Sequence, residues 1–519
     1  MIARRRSVGP WHLFGLGAAS ILAVSSASSA SSLGVYNASA VRGFFEAMAT
    51  RRVSIDCVGD SNMFGVAASG PKLGYFGALG QVLEEKGHQW YGAPCIAPGG
   101  GASNLSRWST NGKNLNHQVT ASTPLQWPHS SYLLTGSNAN PLSQQYAHTH
   151  ITVGDTATDT YNIGVRTGFS NPPASFYVVG ETYTAHLVYA TFSTPTAYDN
   201  RFQYRLWTYS PGRTVAQTPL IDPVTGVDGI GFTSVSGPFP EVNNSRLMLG
   251  LVDGATGPHV LYYGGITRDS VETGFSQNSV WARGGDGVPN LKNFLVTSSH
   301  LGLRLYQRQL VAAQESDHKV LALFMMLGIN DRTMDPIAWG DALELALYIY
   351  EAEWQQMLIE EGWTGDLYFV LWPGPHTRLE DPENQSAHRK EARAVAGFRR
   401  NASVIDLDAL GADAAYIMAQ PGWVIEEDGV LDVAHLRNDA YIGLVRIGLD
   451  ALLAEIAQCA GDLNADGFTN ITDFTTLATN FGAQDAGYAD GDINGDGMVD
   501  LADFQILATA FGCTPPSPS

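Results

Sequence analysis

Four short segments of this 519-residue chain carry residues that can perform acyl chemistry together: Gly59-Asp60-Ser61, Gly284-Gly285, Gly328-Ile329-Asn330-Asp331 and Asp432-Val433-Ala434-His435. A serine hydroxyl is a poor nucleophile until a base takes its proton, and the base needs a third group to hold its tautomer. Ser61, His435 and Asp432 can fill those three roles. An Asp three residues before the His suits a loop or a first helical turn, with both side chains pointing into one site. The order, serine first and Asp-x-x-His last, differs from that of α/β-hydrolases, whose acid lies well upstream of the histidine and whose serine sits in a Gly-x-Ser-x-Gly elbow. His376 is the competing histidine, but no Asp precedes it by three residues.

A second chemistry is written near the C-terminus. Residues 462–473 (Asp-Leu-Asn-Ala-Asp-Gly-Phe-Thr-Asn-Ile-Thr-Asp) and 492–503 (Asp-Ile-Asn-Gly-Asp-Gly-Met-Val-Asp-Leu-Ala-Asp) are two copies of one loop. Oxygen donors recur at loop positions 1, 3, 5, 9 and 12, with glycine at position 6 for the sharp turn, which is the pattern of an oxygen cage for Ca2+. The donors are Asp462, Asn464, Asp466, Asn470 and Asp473, then Asp492, Asn494, Asp496, Asp500 and Asp503. The carbonyls of Phe468 and Met498 complete the two sets. Two structural calcium ions are therefore expected there, and no metal is needed for the acyl chemistry.

Three of the first four segments resemble the blocks of the SGNH, or GDSL, hydrolase superfamily. Val58-Gly59-Asp60-Ser61-Asn62 looks like its first block, Gly328-Ile329-Asn330-Asp331 its third and Asp432-Val433-Ala434-His435-Leu436 its fifth. The resemblance covers roughly residues 50–110 and 275–455. It implies a flavodoxin-like three-layer α/β/α sandwich, Ser61 as nucleophile, His435 as general base and acid, and Asp432 as its orienting carboxylate. It also implies an oxyanion hole formed by the Ser61 N–H, the Asn330 side chain and a glycine N–H from the second block. Gly285 and Gly100, within Gly99-Gly100-Gly101, are the candidates. Gly285 is better placed, one strand and one helix before the third block. The duplicated calcium loops, with Asp at position 12 and no incoming helix, resemble a type I dockerin. That likeness implies a cohesin-bearing scaffold or cell-surface partner.

The elements that must position these residues follow from periodicity. An apolar strand at 53–58 runs into Gly59-Asp60-Ser61, and a helical face at Phe76, Leu79 and Leu83 follows, ended by Gly87. Helices around 291–313 and 339–361 alternate with strands at 320–327, 367–371 and 404–405. Such alternation builds a parallel sheet covered on both faces, with ligands at the carboxyl ends of its strands. Residues 125–275 read differently, as short Thr-, Val-, Tyr- and Phe-rich strands between Gly, Pro, Asn and Asp. An inserted β-sandwich is expected there, either shielding the site or binding carbohydrate through aromatics such as Trp207 and Tyr209. The organisation is thus a leader at 1–30, hydrolase segments at 31–124 and 276–456 around the insertion, the dockerin-like module at 459–513, all-α apart from its loops, and a tail at 514–519.

The leader has Arg4, Arg5 and Arg6, an apolar run from Trp11 to Val24 and small residues to Ala30, the design of a secretory signal peptide. Export makes disulfides available to the four cysteines, and Cys57–Cys95 and Cys459–Cys513 are the local pairings. Cys95 is expected on the strand neighbouring that of Cys57. The net charge of −20 argues against nucleic acid or an anionic membrane as partner. The sequence as a whole reads as a secreted esterase that removes acyl groups, acetyl by association, from a polysaccharide. A lipase, thioesterase or acyltransferase using the same triad, and a noncatalytic glycan-binding surface or scaffold protein, are the alternatives.

Overall fold

The computed structural model describes residues 34–64, 74–96, 149–152, 178–191, 201–209, 212–226, 229–238, 245–251, 258–282, 287–297, 300–331, 333–373, 382–427, 430–456, 461–464, 468–484, 486, 488–493 and 498–512. The leader, Gly100, Gly285, His376, Asp466, Asn494, Asp496, Cys459, Cys513 and the tail lie outside them.

The chain opens with β1 (Val35–Tyr36), α1 (Arg42–Thr50), β2 (Arg52–Gly59), the single-turn α2 (Ser61–Phe64), α3 (Tyr75–Glu85) and β3 (Trp90–Ile96). Strands come next: β4 (Thr149–Thr152), β5 (Thr182–Thr191), β6 (Phe202–Tyr209), β7 (Gly212–Gln217), β8 (Gly229–Pro238), β9 (Ser245–Leu251), β10 (Pro258–Arg268) and β11 (Gly274–Ala282). Then come α4 (Val288–Thr297), α5 (His300–Val311), β12 (His318–Met326), α6 (Pro336–Glu361), β13 (Thr364–Leu371), α7 (Pro382–Gly397) and β14 (Ala402–Ile405). After α8 (Ala414–Ala419), the hairpin β15 (Val424–Glu427) and β16 (Val430–Leu436) leads into α9 (Asn438–Ile456). Last are α10 (Ile471–Thr479) and α11 (Leu501–Ala510).

Six parallel strands, in the order β14-β13-β12-β2-β11-β3, form the heart of a sheet that has eleven strands among the described residues. Its central strands are buried on both faces, which is why they read as unbroken apolar runs rather than alternating ones. Along β12, Val320, Ala322, Phe324 and Met326 pack in one core with residues of α1, α3 and α9. Leu321, Leu323 and Met325 face the other core, with α4 to α7. A strand's two-residue period produces this division. The expected helix at 291–313 is two helices, α4 and α5. Among the described residues no helix is long and apolar enough to cross a membrane.

Two expectations change. Among the described residues, the strands of the insertion do not all stand in sheets of their own. β10 pairs antiparallel with β3, β5 with β10 and β8 with β5, so these strands prolong the central sheet, while β7-β6-β9 form a separate three-stranded sheet. Tyr204 of β6 is buried and donates its hydroxyl to the His186 carbonyl on β5, joining the two sheets. Nor is Cys57 bridged to Cys95: it is a free, buried thiol. β11, which arrives late in the chain, lies between β2 and β3 and pairs with both. Strands two places apart in a sheet are ~10 Å apart, and a disulfide needs Cα atoms within ~7 Å.

Candidate active site

The three strands β2, β11 and β12 end level with one another. Gly59, the last residue of β2, has Ala282 of β11 as its partner on one side and Met326 of β12 on the other. Asp60 and Ser61 after β2 and Gly328 to Asp331 after β12 therefore leave the sheet at one end, where β11 also finishes at Ala282. The chain order reverses between β2 and β12, because β11 lies to one side and β13 to the other. Open α/β sheets bind ligands at such a crevice, outside the carboxyl ends of the strands.

Gly328 turns the chain out of β12 with φ +130°, a left-handed conformation natural to glycine, into a single 3-10 turn over Ile329–Asp331. Asn330 is thereby brought to the nucleophile segment, where its Nδ2 lies 3.4 Å from Asp60 Oδ2. Asp60 is buried, and its other oxygen accepts the backbone N–H of Asn62 at 2.8 Å. The carboxylate thus shapes the turn carrying Ser61 and faces the Asn330 amide.

Asp331, next to the expected oxyanion residue, serves the second block. Its Oδ2 accepts the N–H of Val288 at 2.8 Å and the indole N–H of Trp339 at 2.9 Å. Burial raises the Asp331 carboxyl above its ordinary range; these two donors and nearby His388 oppose the shift. At Gly287 an added Cβ would lie 1.6 Å from Asp331 Oδ1, so only glycine allows the approach. Asp331 consequently ties down the chain two residues after Gly285, the favoured third donor.

Asp432 and His435 lie on β16, not on a loop or first helical turn. The strand is irregular where it matters: Ile425 pairs with Asp432, but the next partner, Val424, faces Leu436. The ladder therefore shifts register between Asp432 and Leu436, as it does at a β-bulge. α2, which begins at Ser61, packs against β16. Ser61, Asp432 and His435 are placed here by their backbone positions.

Tyr441, on α9, joins these parts and had no motif to announce it. Its hydroxyl donates to Asn62 Oδ1 at 2.8 Å and accepts the N–H of Leu436, the residue after His435, at 3.2 Å. Leu436, Tyr441, Asn62, Asp60 and Asn330 thus form one chain of polar contacts linking the Gly-Asp-Ser, Gly-Ile-Asn-Asp and Asp-x-x-His segments.

In the C-terminal unit, Asn470 and Asp500 cap α10 and α11, each in a reciprocal capping box with Asp473 or Asp503. Asp473 reaches back across its loop to accept the N–H groups of Leu463 (2.7 Å) and Asn464 (3.2 Å), and Asp503 accepts that of Ile493 (2.7 Å). Leu463, Leu477, Ile493, Val499 and Leu507 make a separate small core. Asp473 and Asp503 are fully buried and Asp492 nearly so, in a stretch without Lys or Arg of its own; Arg400 lies 3.6 Å from Asp492. Buried carboxylates are costly unless compensated; Asp473 and Asp503 are met by the backbone N–H groups just named, and among the described residues no group of three or more Asp, Glu, His or Cys side chains is arranged to hold a metal ion.

No family model matches the sequence, and no curated protein matches it. Among solved structures the chain is similar to a peptidoglycan O-acetylesterase, at 13% identity over 81% of this chain and 97% of that one, with a TM-score of 0.45. It is also similar to a CBM4 structure (13% identity, 24% of this chain and 71% of that one, TM-score 0.17). The salicylyl-acyltransferase SsfX3 from a tetracycline biosynthetic pathway is similar at 11% identity over 53% of this chain and 81% of that one, with a TM-score of 0.24. Scores this low do not establish a shared fold, and the functional assignment rests on the site.

Proposed function

We propose that the protein is an exported serine esterase of the SGNH type that removes acyl groups, acetyl foremost, from a polysaccharide. The observation that supports this most directly is the continuous polar chain from Leu436 to Asn330 at the level ends of β2, β11 and β12. Segments as much as 379 residues apart share one hydrogen-bonded cluster. A flavodoxin-like three-layer sandwich accords with the strand order, since β11-β2-β12-β13-β14 is the order 2-1-3-4-5 of that fold.

In this reading His435 takes the proton of Ser61 as its Oγ attacks the acyl carbon, and Asp432 stabilises the resulting imidazolium. The oxyanion accepts from the Ser61 N–H, the Gly285 N–H and Asn330 Nδ2, while Asp60 orients the Asn330 amide. His435 returns the proton to the sugar alkoxide as it leaves. It then deprotonates the water that releases the acid from acyl-Ser61. The dockerin-like module would hold two Ca2+ ions through Asp462, Asn464, Asp466, Phe468, Asn470 and Asp473 and their counterparts at 492–503. Bound calcium would neutralise the buried carboxylates, and a cohesin-bearing scaffold is the partner proposed for the module.

The test is release of acetate from a soluble aryl acetate and from a panel of acetylated polysaccharides, by wild type and Ser61→Ala. Release that disappears with Ser61→Ala supports the reading. No release from any ester would overturn it in favour of a noncatalytic glycan-binding protein, and transfer to an added acceptor instead of water would make the enzyme an acyltransferase.

A further inference from the structure

We propose that Tyr441 is a positioning residue that fixes the separation between the nucleophile Ser61 and the base His435; this rests on the esterase reading above. Those two residues are far apart in the chain, one on a single-turn helix and the other on a two-stranded hairpin that is separate from the main sheet. Neither element is rigid by itself: α2 has one turn, and β16 loses its ladder register between Asp432 and Leu436. Proton transfer needs donor and acceptor within hydrogen-bond reach, so something stiffer must set the distance.

Tyr441 meets that requirement. It lies in the first turn of α9, a helix of 19 residues, and is fully buried. One oxygen atom bridges the residue after Ser61 and the residue after His435, donating to Asn62 Oδ1 and accepting from the Leu436 N–H. Both partners are themselves buried. A hydroxyl that donates and accepts at once is polarised by each bond, which strengthens the other. The ring is held from the side by Tyr75 of α3, edge to face, with centroids 4.9 Å apart and planes at 74°. Asn62 continues the link through Asp60 to Asn330, so the nucleophile, the base and an oxyanion donor are referred to one phenol.

Tyr441→Phe removes that oxygen and keeps the ring packing. A misplacement of about 1 Å costs on the order of 100-fold in rate, so kcat for a soluble aryl acetate falls by about 10- to 100-fold while KM stays within about twofold. Labelling of Ser61 by a fluorophosphonate slows by the same factor and still reaches full stoichiometry, a result that a partly unfolded sample would not give. Asn62→Ala breaks the same link from the other side, and the double variant is no slower than the slower single one. A Tyr441→Phe protein with kcat within twofold of wild type overturns the proposal, as do single effects that multiply in the double variant. If Tyr441→Phe does not fold, Asn62→Ala decides alone: wild-type kcat there overturns the proposal and a loss matching the predicted range upholds it. Full activity in Ser61→Ala would instead overturn Ser61 as the nucleophile, and no hydrolysis by wild type would overturn the esterase reading, which separates these failures from that of Tyr441.

Discussion

Asp56 offers a test of the fold that is independent of catalysis. It sits in the middle of β2, fully buried, with the hydroxyls of Tyr306 on α5 and Tyr350 on α6 each donating to it at 2.7 Å. Burial pushes its carboxyl up from an ordinary 3.8 to about 6, because removal from water costs the anion more than the two tyrosines and the Cys57 N–H return. A tenfold change in proton affinity corresponds to about 1.4 kcal/mol, so the ionised group destabilises the fold by about 3 kcal/mol relative to its protonated form. The direction comes from linkage: between pH 3.8 and 6 the folded state binds more protons than the unfolded one, and stability falls as pH rises. Below that window the contribution is fully present; above it the loss is complete. Asp56→Asn imitates the protonated acid in volume and in having one donor and one acceptor side. It should match wild type near pH 4 and become more stable than wild type as pH rises to 7. At roughly 2 to 4 °C per kcal/mol for a domain of this size, the gap in melting temperature opens by about 6 to 12 °C. Melting of the hydrolase unit in both proteins at half-unit pH steps gives the difference directly, with carboxylates common to both cancelling. A gap that stays flat within about 1 kcal/mol would refute the placement of Asp56 between the two tyrosines.

Asn330→Ala should lower kcat by ~100- to 1,000-fold with little change in KM, the usual effect of deleting one oxyanion donor; steady-state kinetics on an aryl acetate measures it, and a loss under tenfold would remove Asn330 from that role. A calcium chelator should lower the melting temperature of the C-terminal unit within the full chain, and Asp503→Ala should reduce that response; a thermogram indifferent to chelation would remove calcium from the loops. Burial and the neighbouring Asp56 charge push the Cys57 thiol well above its ordinary range, so iodoacetamide should leave Cys57 unmodified in the native protein and alkylate it only after denaturation. Mass spectrometry of the peptide checks this, and rapid native alkylation would contradict its burial.

Much of the site was legible in the sequence because its parts come directly after strands whose apolar runs are plain. Arg52–Gly59 and His318–Met326 run into Gly-Asp-Ser and Gly-Ile-Asn-Asp, and the two strands end level with one another. Pairing was the harder matter, because it is non-local. β3 comes after β2 in sequence, yet β11, which begins nearly 180 residues after β3 ends, takes the place beside β2. That one substitution of neighbours removed the Cys57–Cys95 disulfide, and the same long-range pairing joined β10, a strand of the expected inserted sandwich, to β3. Tyr441 was hidden for another reason: an aromatic on the buried face of an apolar helix reads as core packing, and only its hydroxyl's partners distinguish it. Asp331 could have been found, since a carboxylate beside Asn330 in a turn after a buried strand needs donors, but the sequence does not say that they come from Val288 and Trp339.

The strands β10, β5 and β8 share a hydrogen-bond ladder with β3, and through β11 with β2, the strand that leads to Ser61. A flexible tether lets an accessory unit search for its ligand while the enzyme turns over elsewhere. A ladder permits no such independence, because any rotation of these strands relative to Ser61 would have to shear interstrand bonds one row after another. Any ligand held by these strands would therefore meet Ser61 at a constant distance and angle, set by the sheet rather than by a tether.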